Sequence, residues 1–224
     1  CFRALDPDAA LVWRVAEGGA VAAGTVVVVI HARTRALVSA ERPALNFLQT
    51  LSATATVTAR YVAEVAGTRT RILDTRKTLP GLRLAQKYAV RAGGGLNHRI
   101  GLFDAVMLKE NHILAAGSIA AAAAAARTMH PALPLIIEVE TLDELDQALA
   151  TGCNRILVDD FSEADLREAV SRAAGRVPLE VSGGVTGERL RAIAATGVDY
   201  VSVGALTKHV QALDLSLRLG DPPG

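Results

Sequence analysis

The chain has 224 residues, half of them hydrophobic, and its 24 basic and 23 acidic side chains leave a net charge of +1. This composition predicts one large folded domain, alone or with a smaller partial one, and excludes a disordered chain. The small net charge argues against a broad nucleic-acid surface, although it permits a local cationic pocket. No apolar run approaches the roughly 20 residues of a membrane helix, no signal-peptide pattern occurs, and two cysteines make no disulfide framework. We therefore expect a cytoplasmic protein without membrane or nucleic-acid partners.

The first residues predict a small β-rich unit followed by a long helix. The chain begins at Cys1 rather than at a methionine, so we expect a further N-terminal segment to precede it. Residues 17–40 resemble a pair of strands punctuated by glycines, with a β-branched run at 26–30. Residues 41–66 have helical periodicity, with Pro43 in the first turn. These patterns predict a partial N-terminal domain over residues 1–40 and a connecting helix over 41–66.

From residue 67 onward, short apolar runs alternate with helical patterns. Strands are predicted at 71–73, 105–108, 135–139, 156–158, 179–181 and 200–203, and helices at 82–91, 113–129, 142–150, 163–173 and 188–195. Residues 162–165, Ser-Glu-Ala-Asp, are typical of a helix N-terminal capping box. Strands that alternate with helices in this way imply a parallel sheet.

The distribution of polar residues distinguishes a barrel from an open dinucleotide-binding sheet. Nearly every predicted strand is followed at its C-terminal end by charged residues or glycines, which is typical of a (β/α) barrel. A dinucleotide fold would concentrate such residues at one switch point, and neither of the usual glycine-rich nucleotide motifs occurs at a strand–helix turn. We predict an α/β fold with an incomplete or open barrel over residues 67–208, and a C-terminal segment over 209–224.

Glycines follow the last two predicted strands. Gly183 and Gly184 come after Ser182 in "EVSGGV", and Gly204 ends "VSVG". Glycine allows the backbone to approach a ligand, and the following helix offers N–H groups to an anion. Barrels frequently bind phosphate in these two loops. Either motif alone is also ordinary turn composition, but the pair predicts a phosphate site.

Cationic side chains lie near several strand ends or at the start of the long helix. They are Arg42, Arg76, Lys77, His98, Arg99 and Lys109. A single surface cation is normally only solvated. Converged, these residues would suit a ligand with several carboxylates or phosphates, because Arg gives bidentate contacts and Lys a point charge.

Acidic residues follow two neighbouring strands. Glu138 and Asp159 could hold Mg²⁺, which usually takes one or two carboxylates together with substrate oxygens and water. The alternative is that they form ion pairs with the cations. Asp160 alone could serve the start of the following helix. In "LDTRKTLPGLR", Asp74 is expected to orient Arg76 and Lys77.

Several motifs together make the sequence closely similar to one enzyme family. They are "DTRKTLPGLR", "KYAVRAGGGLNHRIGLFDAVMLKENH", "IEVET", "LVDDF", "EVSGGV" and "GVDYVSVGALTKH", which occur in order, and the similarity covers nearly all of residues 12–219. The chain resembles the quinolinate phosphoribosyltransferase family, also called nicotinate-nucleotide pyrophosphorylase (carboxylating). The resemblance implies a reaction of quinolinate with 5-phosphoribosyl 1-pyrophosphate (PRPP), requiring Mg²⁺, that gives nicotinate mononucleotide, pyrophosphate and CO₂. It also implies a sandwich domain plus a barrel, a final strand at 212–219, and a homodimer or dimer-built hexamer.

The resemblance also implies roles for single residues. Arg42, Arg76, His98, Arg99 and Lys109 would hold the quinolinate carboxylates, and Lys77 would lie between that pocket and PRPP. Glu138 and Asp159 would lie near the ribose hydroxyls and Mg²⁺, in contact with the metal either directly or through water. The 5′-phosphate would be bound by Ser182, Gly183, Gly184 and Gly204, with Lys208 and His209 close by. Together, Lys77, Glu138 and Asp159 are the predicted catalytic residues.

Two alternatives remain open at the level of the sequence. The first is a related molybdenum-locus phosphoribosyltransferase homologue of unsettled substrate, although Lys109 favours the quinolinate enzyme because it supplies an extra carboxylate contact. The second is a non-catalytic or truncated relative, since family members are longer at the N-terminus.

Overall fold

The computed structural model describes residues 1–220, except for the side chain of Glu188. The helices are α1 (Phe2–Leu5), α2 (Thr34–Glu64), α3 (Arg83–Ala92), α4 (Glu110–Ala116), α5 (Ile119–Met129), α6 (Leu142–Ala150), α7 (Glu163–Ala173), α8 (Gly187–Ala195) and α9 (Ala205–Lys208). The strands are β1 (Ala10–Trp13), β2 (Val28–His31), β3 (Arg71–Leu73), β4 (Val106–Leu108), β5 (Leu135–Val139), β6 (Arg155–Asp159), β7 (Leu179–Ser182) and β8 (Tyr200–Ser202). None of these helices combines the length and apolarity needed to cross a membrane.

Strands β3 to β8 form one parallel sheet, in the order β3-β8-β7-β6-β5-β4. The predicted α/β fold with an open barrel is confirmed, because the edge strands β3 and β4 do not pair with each other in the part of the chain that the structure describes. The segment 96–105 spans the opening. Leu96 continues the sheet beside β3, and its N–H lies 2.8 Å from the carbonyl oxygen of Ile72. At the other end, the guanidinium of Arg99 donates to the carbonyl of Ala105, just before β4.

The two faces of the sheet differ in chemistry because side chains alternate along each strand. The outer face is apolar and packs against the helices, with Ile137, Ile156 and Val201 fully buried in the main core. The inner face has only a small apolar cluster of Ala105, Ile136 and Leu157. Polar residues occupy the rest of the inner face, and this is the surface on which the site is built.

The N-terminal part pairs β1 with β2 as an antiparallel hairpin and packs it on α2. The prediction that Pro43 lies in the first turn of the long helix is wrong, because α2 begins at Thr34 and Pro43 lies inside it. Asp6 explains the earlier start: its carboxylate accepts from the backbone N–H of Arg33 at 2.8 Å and pairs with the Arg33 guanidinium at 3.1 Å. A carboxylate near a helix N-terminus stabilises it, and this one comes from far away in the sequence.

The predicted helix over 113–129 is two helices, α4 and α5. Gly117 ends α4 in the left-handed conformation, with φ of 87°. Ser118 then begins α5, and its hydroxyl accepts from the N–H of Ala121 at 3.1 Å. A glycine in the left-handed conformation ends a helix, and a serine N-cap directly after it begins the next one.

The C-terminal segment returns to the N-terminal part, but the predicted strand at 212–219 is wrong, since these residues form no strand. Leu217 packs against the cluster of Phe2, Ala9 and Ala40. The N–H of Leu213 bonds to the carbonyl of Gln49 in α2, a helix, which offers no strand edge for pairing. Residues 221–224 lie outside the described residues.

Candidate functional site

Lys109 and Glu138 form an ion pair at the C-terminal ends of β4 and β5. The register of these strands, in which Leu108 is paired with Ile137, brings the two residues side by side. The alternative interpretation of the acids as ion-pair partners therefore applies to Glu138 in this structure. Lys109 is 42% exposed and Glu138 only 10%, so the ammonium can reach a ligand while the carboxylate stays beneath it.

Asp159 and Asp160 both approach the glycine loop that follows β7. A Cβ added at Gly183 would lie 2.5 Å from Asp160 Oδ1 and 3.0 Å from Asp159 Oδ1, and the φ of Gly183 is +85°. Only glycine fits both the conformation and the space. The expectation that Asp160 serves the following helix is wrong, because the Ser162 hydroxyl caps α7 by accepting from the N–H of Asp165.

The loop with Arg76 and Lys77 is fixed through its backbone while both side chains stay exposed. The Thr207 hydroxyl donates to the carbonyl of Lys77 at 2.8 Å, and Arg83 donates to the carbonyl of Arg76 at 3.2 Å. A Cβ at Gly204 would meet Lys77 Cδ at 3.0 Å, so this glycine leaves room for the lysine stem. Lys77 and the last predicted phosphate loop are therefore neighbours.

Asp74 does not pair with Arg76 or Lys77, contrary to the expectation from the sequence. Its carboxylate is fully buried and pairs with Lys87 of α3, with 2.5 Å between Oδ1 and Nζ. Burial raises the pKa of Asp74, and the ammonium of Lys87 opposes that effect. Lys87 lies in the helix predicted over 82–91, and the sequence did not single it out.

His98 faces inward. Its Nδ1 accepts from the backbone N–H of Arg99 at 2.6 Å, and its Nε2 lies 3.2 Å from Glu180 Oε2. His98 Nε2 and Glu180 Oε1 have no hydrogen-bond partner among the described residues. Both ring nitrogens point at protein groups, and His98 also lines the cleft beside Arg99.

Glu180 is a buried carboxylate on the inner face that the sequence did not single out. Arg155 donates to it at 2.9 Å and stacks over the ring of Tyr200, with 4.4 Å from the guanidinium carbon to the ring centre. Burial raises the pKa of Glu180, but His98 and Arg155 lower it more, so the pKa lies below its ordinary value. The alternating pattern of β7, with Glu180 and Ser182 on the same face, is the sequence signal for its position.

Arg99 lies close to Arg76 and to three carboxylates. Burial lowers the pKa of Arg99, and so does the positive charge of Arg76, whereas Asp104, Glu138 and Glu180 raise it. A cleft of about 350 Å³ opens beside it, lined by His98, Arg99 and Ile136, and by Pro134, Asn154 and Arg155 around the starts of β5 and β6. This cleft therefore opens toward the N-terminal ends of these strands, whereas Lys109 and Glu138 lie at the C-terminal ends.

The structure brings three pairs of predicted site residues into contact. Lys109 contacts Glu138, Asp159 contacts the position of Gly183, and Lys77 contacts Gly204. Lys208 ends α9 and is exposed near these loops. Arg42 lies exposed on α2, and its side chain makes no hydrogen bond or ion pair within residues 1–220.

Comparison with known proteins gives the family. The model of the quinolinate phosphoribosyl transferase C-terminal domain matches residues 54–218, and that of the N-terminal domain matches residues 1–52. The chain belongs to the quinolinate phosphoribosyl transferase family. The predicted resemblance is confirmed.

Relatives within this family support the assignment along nearly the whole chain. The nicotinate-nucleotide pyrophosphorylase (carboxylating) of Mycobacterium leprae is 46% identical over 212 residues, which cover 93% of this chain and 75% of the relative. A probable enzyme of the same name from Bacillus subtilis is 41% identical, covering 96% of this chain and 75% of the relative. The structure of the nicotinate-nucleotide pyrophosphorylase from Francisella tularensis superimposes with a TM-score of 0.94 at 48% identity, over 96% of this chain and 77% of that one.

Proposed function

We propose that this chain transfers the phosphoribosyl group of PRPP to quinolinate with loss of CO₂, giving nicotinate mononucleotide and pyrophosphate for NAD biosynthesis. Membership of the quinolinate phosphoribosyl transferase family carries the proposal, and it makes the chain a pentosyltransferase. The geometry supports it, because exposed cations and phosphate-type glycine loops lie at one end of the parallel sheet. Both substrates are polyanions, and such an arrangement of charge suits them.

The quinolinate carboxylates would be bound by Arg76, Arg99 and Lys109. These side chains combine a bidentate fork with a point charge, and Lys109 can exchange its contact with Glu138 for one with the ligand. His98 would act by holding Arg99 in place, because both of its ring nitrogens face protein groups. Arg42 would require a different chain arrangement to contribute, since it lies apart in this structure.

PRPP would be bound at the other half of the site. Its 5′-phosphate would occupy the loops of Ser182, Gly183, Gly184 and Gly204, with Lys208 nearby, and Lys77 would face both substrates. The ring nitrogen of quinolinate would form a bond to ribose C1 while the bond from C1 to pyrophosphate breaks. Positive charge develops on the sugar, and the carboxylates of Glu138 and Asp159 would stabilise it. Alignment of the nitrogen with C1 needs no covalent enzyme intermediate.

Mg²⁺ fits the acids that are present. No group of three or more potential metal-ligating side chains (His, Cys, Asp or Glu) occurs among the described residues, so a metal would take one or two carboxylates plus substrate oxygens. The Asp159 carboxylate is the first candidate ligand, because Glu138 is paired with Lys109. When bound, Mg²⁺ would supply charge neutralisation for the departing pyrophosphate.

Assembly into a homodimer or a dimer-built hexamer in the cytoplasm completes the proposal. The family resemblance of the sequence motifs supports this part of the proposal. Val38 and Phe47 of α2 are 57% and 50% exposed, but they lie nine residues apart and so on opposite sides of the helix, where they form no common surface. Light scattering coupled to gel filtration would measure the assembly.

The decisive test is turnover. Purified protein incubated with quinolinate, PRPP and Mg²⁺ should release CO₂ and form nicotinate mononucleotide, and chelation of the metal should stop the reaction. Quinolinate labelled in the 2-carboxylate follows the release directly. A correctly folded protein that forms no nucleotide under these conditions would refute the proposal.

A further inference from the structure

A buried ion pair lies behind the proposed quinolinate pocket, and it involves no residue of the predicted site. Asp74 follows β3 and Lys87 lies on α3, and their side chains are 0% and 3% exposed. A buried ion pair is seldom retained for stability alone, because the desolvation of both charges offsets their attraction. The hydrogen bonds around it indicate what else it does.

The pair fixes the main chain of His98 on both sides. Asp74 Oδ1 accepts from the backbone N–H of His98 at 2.8 Å, and Lys87 Nζ donates to the carbonyl oxygen of His98, also at 2.8 Å. Asn97 adds a second tie, since its Nδ2 donates to Asp74 Oδ2 at 2.6 Å and to the carbonyl of Lys87 at 2.8 Å. Hydrogen bonds to charged groups are the stronger ones, so this short segment is held firmly.

The residue that follows, Arg99, needs this support. It is half-buried next to Arg76, and both burial and that neighbouring positive charge lower its pKa. The carboxylates of Asp104, Glu138 and Glu180 act in the opposite direction and help to keep the guanidinium in place. The guanidinium of Arg99 itself donates a hydrogen bond of 3.1 Å to the carbonyl of Ala105.

We propose that Asp74 and Lys87 are positioning residues, which hold the main chain of His98 so that the Arg99 guanidinium is preorganised for a carboxylate of quinolinate. The inference deepens the proposed function and rests on it. PRPP would bind at the glycine loops and at Lys77, so the ion pair should affect one substrate and spare the other. This selectivity separates a positioning role from a general contribution to folding.

The experiment compares Michaelis constants in variants that avoid a lone buried charge. Asp74→Asn combined with Lys87→Met removes both charges and the donor to the His98 carbonyl. We expect the KM for quinolinate to rise about tenfold, since one hydrogen bond to a charged group is lost, and the KM for PRPP to stay within about twofold. Asn97→Ala keeps the ion pair, and it should raise the quinolinate KM in the same direction by a smaller factor. Arg172→Met, in an exposed ion pair with Asp146, is the matched control and should change neither constant.

The outcomes separate the two hypotheses. Thermal unfolding first establishes whether each variant is folded. If the double variant is unfolded, the Michaelis constants of Asn97→Ala decide the test instead. A rise confined to quinolinate supports the positioning role. Equal rises for both substrates, or none, in active folded protein overturn it and leave the proposed function intact. A wild-type chain without turnover overturns both.

Discussion

Replacing Gly183 by alanine tests whether the loop after β7 needs glycine for binding or only for its turn. The φ of +85° is unfavourable for alanine, and this conformation alone costs about 1–2 kcal/mol. At this chain length such a loss lowers the melting temperature by about 2–8 °C. The new Cβ would also lie 2.5 Å from Asp160 Oδ1 and 3.0 Å from Asp159 Oδ1, so these carboxylates must move. We expect kcat/KM for PRPP to fall by about ten- to a hundredfold.

Gly117→Ala is the matched control for this substitution. Gly117 has almost the same φ, +87°, but a Cβ there would meet nothing within 4 Å. Calorimetry should therefore find a lowered melting temperature in both variants, with a loss at least as large in Gly183→Ala because of its contacts with the two carboxylates, while steady-state kinetics should find a loss only for Gly183→Ala. If both variants retain wild-type kcat/KM for PRPP, or both lose it equally, the proposed phosphate site at this loop is wrong.

Two further substitutions test the charges of the site. Lys109→Ala should raise the KM for quinolinate about tenfold or more, because a charge-assisted contact is lost, with little effect on the KM for PRPP; equal losses in steady-state assays would contradict its role. Glu180→Gln should lower the free energy of unfolding at pH 7 by about 3–5 kcal/mol, because it leaves Arg155 and His98 without their buried carboxylate. The pKa of Glu180 is lower in the folded protein, so its contribution is fully present above the ordinary value of 4.5, declines as the pH falls below that value, and is lost only below the lowered pKa of the folded state. Urea unfolding should show a smaller difference in the free energy of unfolding between wild type and Glu180→Gln at pH 4 than at pH 7. An equal difference at both pH values would count against the assigned pKa shift.

The parallel sheet could be predicted from the sequence because each buried strand is a short apolar run between turn residues. The strand at 135–139 has the bounds that were predicted, and β6 is only one residue longer at each end. The family could be recognised for the same reason, because each motif of charged residues or glycines follows a predicted strand directly in the sequence. Local patterns determine these features, so local reasoning reaches them.

Contacts between distant residues could not be predicted in this way. The start of α2 depends on Asp6, 27 residues before its partner Arg33. The buried face of helix α3 could not be predicted from residue type either. Leu84 and Tyr88 are 71% and 50% exposed, whereas Lys87 is buried. A lysine in a helix is normally read as solvated, and only the burial of its partner Asp74 shows otherwise.

The segment 96–105 that bridges the gap between β3 and β4 has a thermodynamic consequence. It joins the two edges of the barrel and also carries Arg99 into the pocket. A ligand that binds Arg99 while the guanidinium keeps its bond to Ala105 would stabilise this segment, and loosening of the segment would weaken the ligand by the same amount of free energy. Saturating quinolinate should then slow hydrogen exchange in residues 96–105.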